Sequence, residues 1–395
     1  NTDITLFNVM FDGEGCVTDP QFNMVTEFDL SSASPCYPED VTSITPLSFC
    51  TPCQTFTIGG TIAKETGEGI DVPSSNVSGD YSSGIFIVGG SSEVDCYDVD
   101  PGPPQAPTGD CDEVTATIGS CTGNYTVEID NRDCMSDDYF TVTPYKNTNP
   151  LNGVTTFDLV LISKHILDIT PLGSPYKIIA ADAIEAGSGN VTTSDLVEIK
   201  KLILVQIPEY ADRTSWRFVD ASYVFPDPTD PWDETFPECA KLDFSGVNPA
   251  DQTANFVAIK VGDVNSSASP CGAFTNNLNE EREINWNLTM ATGKNTPLQI
   301  GDEVVLDFFL AGSTSLVAWQ AGLQFDRKAL QLEEVLPSDL DGMSIGNFGL
   351  IEADQGKVRA LWYNRFGEAT PFTRNVKLFS LRFRALQPIQ DLESL

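Results

Sequence analysis

The sequence predicts a mainly β, multidomain protein in which β-sandwiches flank a small α-helical module. Three observations carry this. Short runs that alternate apolar and polar residues, broken by Gly, Pro, Ser and Asp, fill both halves of the chain. A loop–helix unit occurs twice near the middle. At 395 residues with 41% hydrophobic content, the chain is long enough for roughly two to four ordinary globular domains.

The repeat is the most specific stretch. Residues 155–167 read Thr-Thr-Phe-Asp-Leu-Val-Leu-Ile-Ser-Lys-His-Ile-Leu, and residues 192–204 read Thr-Thr-Ser-Asp-Leu-Val-Glu-Ile-Lys-Lys-Leu-Ile-Leu. Leu, Val and Ile recur at helical spacing in both, so each copy has an apolar stripe. Two short amphipathic helices bury little alone and should pack antiparallel against each other. Thr155 and Thr192 stand where N-caps belong, with Asp158 and Asp195 in the first turn. An Asn/Gly-rich loop precedes each copy, around Asn147–Val154 and Asp182–Val191. A repeated loop with a carboxylate at its junction with a helix points to paired calcium sites. In the alternative, Asp158 and Asp195 merely cap their helices and the loops are ordinary turns.

These residues resemble the dockerin family, which has two calcium loops of F-hand type, each ending in an Asp that leads into a helix. The resemblance implies Ca2+ as cofactor. EF-type loops take ligands at positions one, three, five, seven and twelve. Counting back from Asp158 puts Asn147 first, Asn149 third, Leu151 fifth through its carbonyl, and Gly153 seventh. Two neutral amides replace the usual carboxylates there, so weaker affinity is expected. The second loop, Asp182 to Asp195, exceeds the usual length, and Ala183–Ser188 must bulge. Ser188 and the Asn190 carbonyl are its candidate middle ligands, Glu185 stays open, and the register is ambiguous. Asp263 and Asn265 are candidates to supplement a shell.

The other segments read as follows. Residues 1–55 hold short apolar runs and look like the tail of a β-sandwich. Residues 56–145 form a new unit, with strands expected at Phe56–Ile62, Gly84–Val88, Ala116–Ile118, Tyr125–Ile129 and Tyr139–Pro144. Its ends, "TIGGTIAKETGEGI" and "DDYFTVTPYK", resemble the carboxypeptidase-regulatory-like β-sandwich, a non-catalytic spacer. Residues 146–265 carry the repeat and an insertion between Val205 and Pro249, rich in Trp, Phe, Tyr and Pro. "SWRFVDASYVFPDPTDPW" resembles a segment recurring in long surface proteins of Bacteroidota-type bacteria. Its aromatics either plug the open side of a small domain or form a sugar-binding face. Phe256–Val264 reads as a closing helix or strand. Residues 266–280 have linker composition. Residues 281–395 alternate again at Trp286–Met290, Glu303–Leu310, Trp319–Phe325, Val358–Trp362 and Lys377–Phe383. "GDEVVLDFFLAGSTSLVAWQAGLQFDRKALQLEEVLP" and "GKVRALWYN…KLFSLRFRA" resemble a cohesin, a β-sandwich that binds dockerins. A closing strand is expected beyond Leu395, which would leave an open sheet edge.

Composition narrows the function classes. The formal net charge is -35, from 57 acidic and 22 basic residues, which disfavours binding to nucleic acid or anionic membranes. The 10 cysteines lie in loop-like sequence and suit disulfides in an oxidising compartment. Proximity pairs Cys16–Cys36, Cys111–Cys121 and Cys239–Cys271, with Cys96–Cys134 and Cys50–Cys53 completing one of many allowed connectivities. No apolar run spans a bilayer. The chain opens Asn-Thr-Asp-Ile and stops at Asp-Leu-Glu-Ser-Leu, as a piece of a longer exported protein would.

The single histidine, His165, has no GxSxG serine to serve, and no HExxH, phosphate-loop or dinucleotide motif occurs. The expected function is non-enzymatic: a secreted, cell-surface structural or adhesive protein hardened by calcium and disulfides. Its dockerin-like and cohesin-like units would pair between copies into a fibre or pack within one chain as stiffening. The alternative is a carbohydrate-binding or scaffolding module of a polysaccharide-degrading system, with polysaccharide as partner.

Overall fold

The computed structural model describes residues 55–390, apart from 78–79, 91–112, 116–120, 131–138, 185–189, 244–250, 270–287, 293–296, 313 and 339. Expectations for residues 1–54 and most of the 266–280 linker lie outside the described residues. So do eight of the ten cysteines, and each proposed pairing includes one of these. Cys121 and Cys239 are both disulfide-bonded.

The first part of the chain runs β1 (Thr55–Ala63), β2 (Ser75–Val77), β3 (Asp80–Gly90), β4 (Glu113–Thr115), β5 (Asn124–Asp130) and β6 (Tyr139–Lys146). Three helices follow: α1 (Thr156–Ile166), α2 (Pro175–Ala181) and α3 (Thr193–Ile203). Then come β7 (Trp216–Asp220), β8 (Ala240–Asp243), β9 (Gln252–Thr253) and β10 (Phe256–Lys260). One sheet has the order β5-β1-β10-β7, with β9 also on β1. The other has the order β2-β3-β6-β8, with β4 also on β3.

The period-two pattern explains the core between these sheets. Phe56 and Ile58 on β1, Tyr125 and Val127 on β5, and Phe140 and Val142 on β6 point inward together. Gly60 lets the backbone at Ala254 come close, since a Cβ there would sit 1.8 Å from the Ala254 carbonyl oxygen.

The aromatic insertion departs from the sequence reading. It is no appendage of the helices: it supplies β7 and β8, one strand to each sheet of the first sandwich. The segment 256–264 resolves as strand β10, parallel to β1 and antiparallel to β7. These strands are apolar on both faces. Trp216, Phe218, Phe256 and Ala258 fill the sandwich, while Val219, Ile259 and Val261 face the helix cluster. Burial on two sides accounts for the unbroken apolar run Phe256-Val-Ala-Ile.

The helices share one core, with Leu159, Ile162, Leu196, Ile199 and Leu202 packed beside Ile179 and Ala180 of α2. The repeated helices match the expected segments to within a residue or two at each end. The short α2, entered by Pro175 at its first turn, was not foreseen.

The last part holds β11 (Leu288–Thr292), β12 (Glu303–Leu310), β13 (Thr314–Leu316), β14 (Ala318–Gln324) and β15 (Leu330–Pro337). It continues with β16 (Phe348–Gly349), β17 (Lys357–Tyr363), β18 (Thr370–Phe372) and β19 (Val376–Ala385). Sheets of order β11-β12-β19-β15 and β14-β17-β16 enclose a second core, and β13 pairs with β18. Phe379 is its centre, with Phe308, Phe348 and Trp319 rings 4.8, 5.5 and 5.8 Å away. The chain is therefore mainly β, and its described residues form two sandwich units and a helical unit between them.

Candidate functional site

The repeated carboxylates perform the same two tasks in each copy. Asp158 Oδ2 accepts the backbone N–H and the hydroxyl of Thr155, both at 2.9 Å, and so ties down the start of α1. Its Oδ1 accepts the N–H groups of Val264 and Asn265 at 3.1 and 3.3 Å. Asp195 repeats this. Oδ2 takes Thr192 N–H and Oγ1–H at 2.8 and 3.0 Å, and Oδ1 takes the N–H groups of Ala183 and Ile184 at 3.0 and 3.1 Å. Both aspartates are buried.

The segments supplying those paired N–H groups are themselves equivalent. Asp182-Ala183-Ile184 serves α3, and Asp263-Val264-Asn265 serves α1. Copy two is thus contiguous, whereas copy one is split, its loop half standing after β10. Sequence reasoning placed Asp263 and Asn265 near such a shell but sought the loop of copy one at 147–154. The signal was the parallel between Ala181-Asp182-Ala183 and Gly262-Asp263-Val264.

The ligand register counted back from Asp158 does not gather around it. Asn147 is turned elsewhere, its Nδ2 donating to Glu209 Oε2 at 3.1 Å and its Oδ1 accepting Ser215 N–H at 2.9 Å. The carbonyls of Asn149 and Leu151 close local turns onto the N–H groups of Asn152 and Val154. The Gly153 carbonyl accepts the Ser267 hydroxyl at 3.0 Å. In the second loop Asp182 pairs with Arg213 at 2.8 Å, and Asn190 is exposed. Glu185 and Ser188 lie outside the described residues. Asp263 accepts Ser267 N–H at 3.0 Å and Ala268 N–H at 2.7 Å.

These contacts decide whether calcium fits. A carboxylate has about four lone-pair sites, and those of Asp158 and Asp195 each meet four donors. Among the described residues, no group of three or more His, Cys, Asp or Glu side chains converges. As arranged, the described residues among these do not fit a calcium cage. Burial, then the neighbouring Asp263, pushes Asp158 up to about 7. Burial also raises Asp182 and Asp263, against the pull of Arg213 on the first and of backbone N–H donors and Lys260 on the second. His165 is half-buried, and burial lowers its pKa.

The second feature is the seat of the helices on the second sandwich. Thr156, Val160 and Ser163 share one face of α1 and are buried. Gln320 of β14 accepts the Thr156 N–H and hydroxyl at 3.3 and 3.0 Å, and the Ser163 hydroxyl donates to the Arg365 carbonyl. Beyond α3, Gln206 Nε2 donates to the Phe348 carbonyl at 2.9 Å. Gly349 admits the helix end, because a Cβ there would stand 1.9 Å from the Leu204 carbonyl oxygen. Leu361 of β17 belongs to the helical core itself.

The insertion's aromatics face inward. Phe225 packs edge-on to Tyr176 and Tyr223, with ring centroids 5.6 and 5.0 Å apart, and meets Phe236 at 5.7 Å. Trp216 and Phe218 belong to the sandwich core, and Trp232 is partly buried. These contacts make a plug between helices and sheet, without an exposed row of rings among the described residues.

No family model and no curated protein matches the chain. Two solved structures show limited likeness. The seventh ScaB type I cohesin from Pseudobacteroides cellulosolvens is 19% identical with a TM-score of 0.21, over 25% of this chain and 64% of that one. The RrgB pilus protein from Streptococcus pneumoniae is 10% identical with a TM-score of 0.20, over 84% of this chain and 45% of that one. The chain spans less than two thirds of either structure's length. Among the described residues, no helix is long and apolar enough to cross a membrane.

Proposed function

We propose that this chain is a non-enzymatic, extracellular structural or adhesive protein in which the duplicated helices brace one β-sandwich against the next. The observation that carries this is the seat of α1: its Thr156–Val160–Ser163 face lies on β14 and β17, while α2 lies on β10 and the shared helical core takes in Val219 of β7 and Ile259 of β10. One small helical core thereby holds both sandwiches, as a load-transmitting joint requires. The inward packing of Phe225, Tyr223 and Phe236 supports the brace over a sugar-binding module. The test is small-angle scattering on wild type and Val160→Asp. A charge at this buried position should unseat α1 and enlarge the radius of gyration while both sandwiches stay folded. An unchanged radius with a folded variant would sink the brace.

A second reading has its own observation. Val197 of α3, the counterpart of Val160, is 51% exposed where Val160 is 1% exposed. The repeat therefore offers a second, uncovered helix face, and exchange of seats between copies would link molecules head to tail into a fibre. Light scattering across a concentration series, with and without chelator, separates the readings. A monomer throughout rules out self-assembly and leaves the brace.

A further inference from the structure

Each buried carboxylate pair is matched by two basic side chains of the chain itself. At Asp182 and Asp195, Arg213 Nη2 donates to Asp182 Oδ2 at 2.8 Å, both side chains being nearly buried. Arg217, gripped by both oxygens of Glu238 at 2.8 and 3.0 Å, adds a second positive charge acting on Asp182. At Asp158 and Asp263, the buried Lys260 ammonium donates to the carbonyls of Pro150 and Val261 at 2.7 and 3.3 Å. It lies 5.9 Å from the centre of the Trp216 ring. Lys64 reaches in from β1 and the turn after it, donating to the carbonyls of Ser266 and Ala268 at 3.1 and 2.6 Å. Ala268 in turn gives its N–H to Asp263.

At each place two basic side chains face two carboxylates, and each place also holds a third acid: Glu238 takes Arg217 with both oxygens, and Glu68 lies 2.6 Å from Lys64. Main-chain carbonyls of the kind a hard cation draws on are already taken by ammonium groups. The carboxylate lone pairs are taken by N–H donors. A calcium ion would have to displace these partners and leave buried donors and ammonium groups unpaired. We propose that Arg213 and Arg217 at one pair, and Lys260 and Lys64 at the other, stand in place of the calcium that the loop–helix pattern implies. The helix pair then folds without metal. This does not depend on the brace role.

The experiment uses the intact chain. Melting is followed after exhaustive chelation and again in millimolar calcium, and terbium luminescence is titrated in parallel. The expected Tm is the same in both conditions to within about 1 °C, since a ligand that does not bind the native state cannot stabilise it. No stoichiometric terbium signal should appear. A Tm that falls in chelator or rises in calcium would overturn the proposal. Arg213→Gln, melted in chelator, should lose more than about 4 °C, and Arg213→Lys should regain part of that loss because it restores the charge. Equal melting of wild type and both variants would remove Arg213 from the role. If Arg213→Gln fails to fold, Arg213→Lys must still fold and ignore calcium; a calcium-dependent Arg213→Lys overturns the idea.

Discussion

Asp195 shows how much one residue can carry. It closes the first turn of α3 and also satisfies two N–H groups of a segment that starts thirteen residues earlier. Loss of a cap alone costs ~1 kcal/mol. Orphaning two buried N–H groups adds ~1–3 kcal/mol each. Asp195→Ala should therefore lose ~3–7 kcal/mol in urea unfolding, well beyond an ordinary cap. Asp195→Asn should lose less, since one oxygen can still serve Ala183 and Ile184. A loss near 1 kcal/mol for Asp195→Ala would reduce it to a simple cap.

The raised carboxylates set a pH slope. Asp158, Asp182 and Asp263 hold protons more readily when folded than their usual value of 3.8 allows. Above that value the native state binds more protons than the unfolded chain, so their contribution to stability falls as pH rises. For Asp158 the fall ends near pH 7. Calorimetry should find a higher Tm at pH 5 than at pH 7.5, and the reverse order would contradict the assignment. The sequence singled out Asp158, Asp195 and Asp263 by their place beside the repeated helices. It could not reveal Arg213 or Lys260, because a charge pair formed across distant sequence leaves no local pattern.

The same pattern in α1 and α3 meets different surroundings. Both helices were legible from their period, and the contrast between Val160 and Val197 was not. Periodicity reports which face is apolar, not which other face a neighbouring unit will cover. Val197→Lys should change stability by less than about 0.5 kcal/mol, as exposed substitutions do. Val160→Lys should cost ~2–4 kcal/mol through a buried, unpaired charge. Equal effects would mean that α1 is not covered by β14 and β17. Strands show the same divide. Glu303–Leu310 was read to the residue because it alternates cleanly. β7 and β8 carry no strand assignment, and Phe256–Val264 reads equally as helix or strand, because these segments pair with strands far away in sequence, and β7 and β10 lose alternation by being buried on both faces.

At the scale of the whole molecule, the chain crosses back on itself more than its linear order suggests. The unit that reads as 56–145 gives its sheets only β1 to β6; β7, β8, β9 and β10 arrive from beyond the helices. Without them β1 lacks its parallel neighbours, and β6 exposes one edge. The inner faces of Phe56, Ile58, Phe140 and Val142 would lose Trp216, Phe218 and Phe256 as packing partners. The helical core, in turn, takes in Val219 of β7 and Ile259 of β10, with α2 lying against β10. Sandwich and helices should therefore unfold as one cooperative body. A fragment of residues 55–146 should show no dispersed NMR spectrum and no cooperative melting, whereas a fragment of residues 55–269 should show both. If the shorter fragment folds alone, the returning strands are an embellishment. If it does not, the first sandwich cannot move independently of the joint, and force applied to one sandwich reaches the other through the helices.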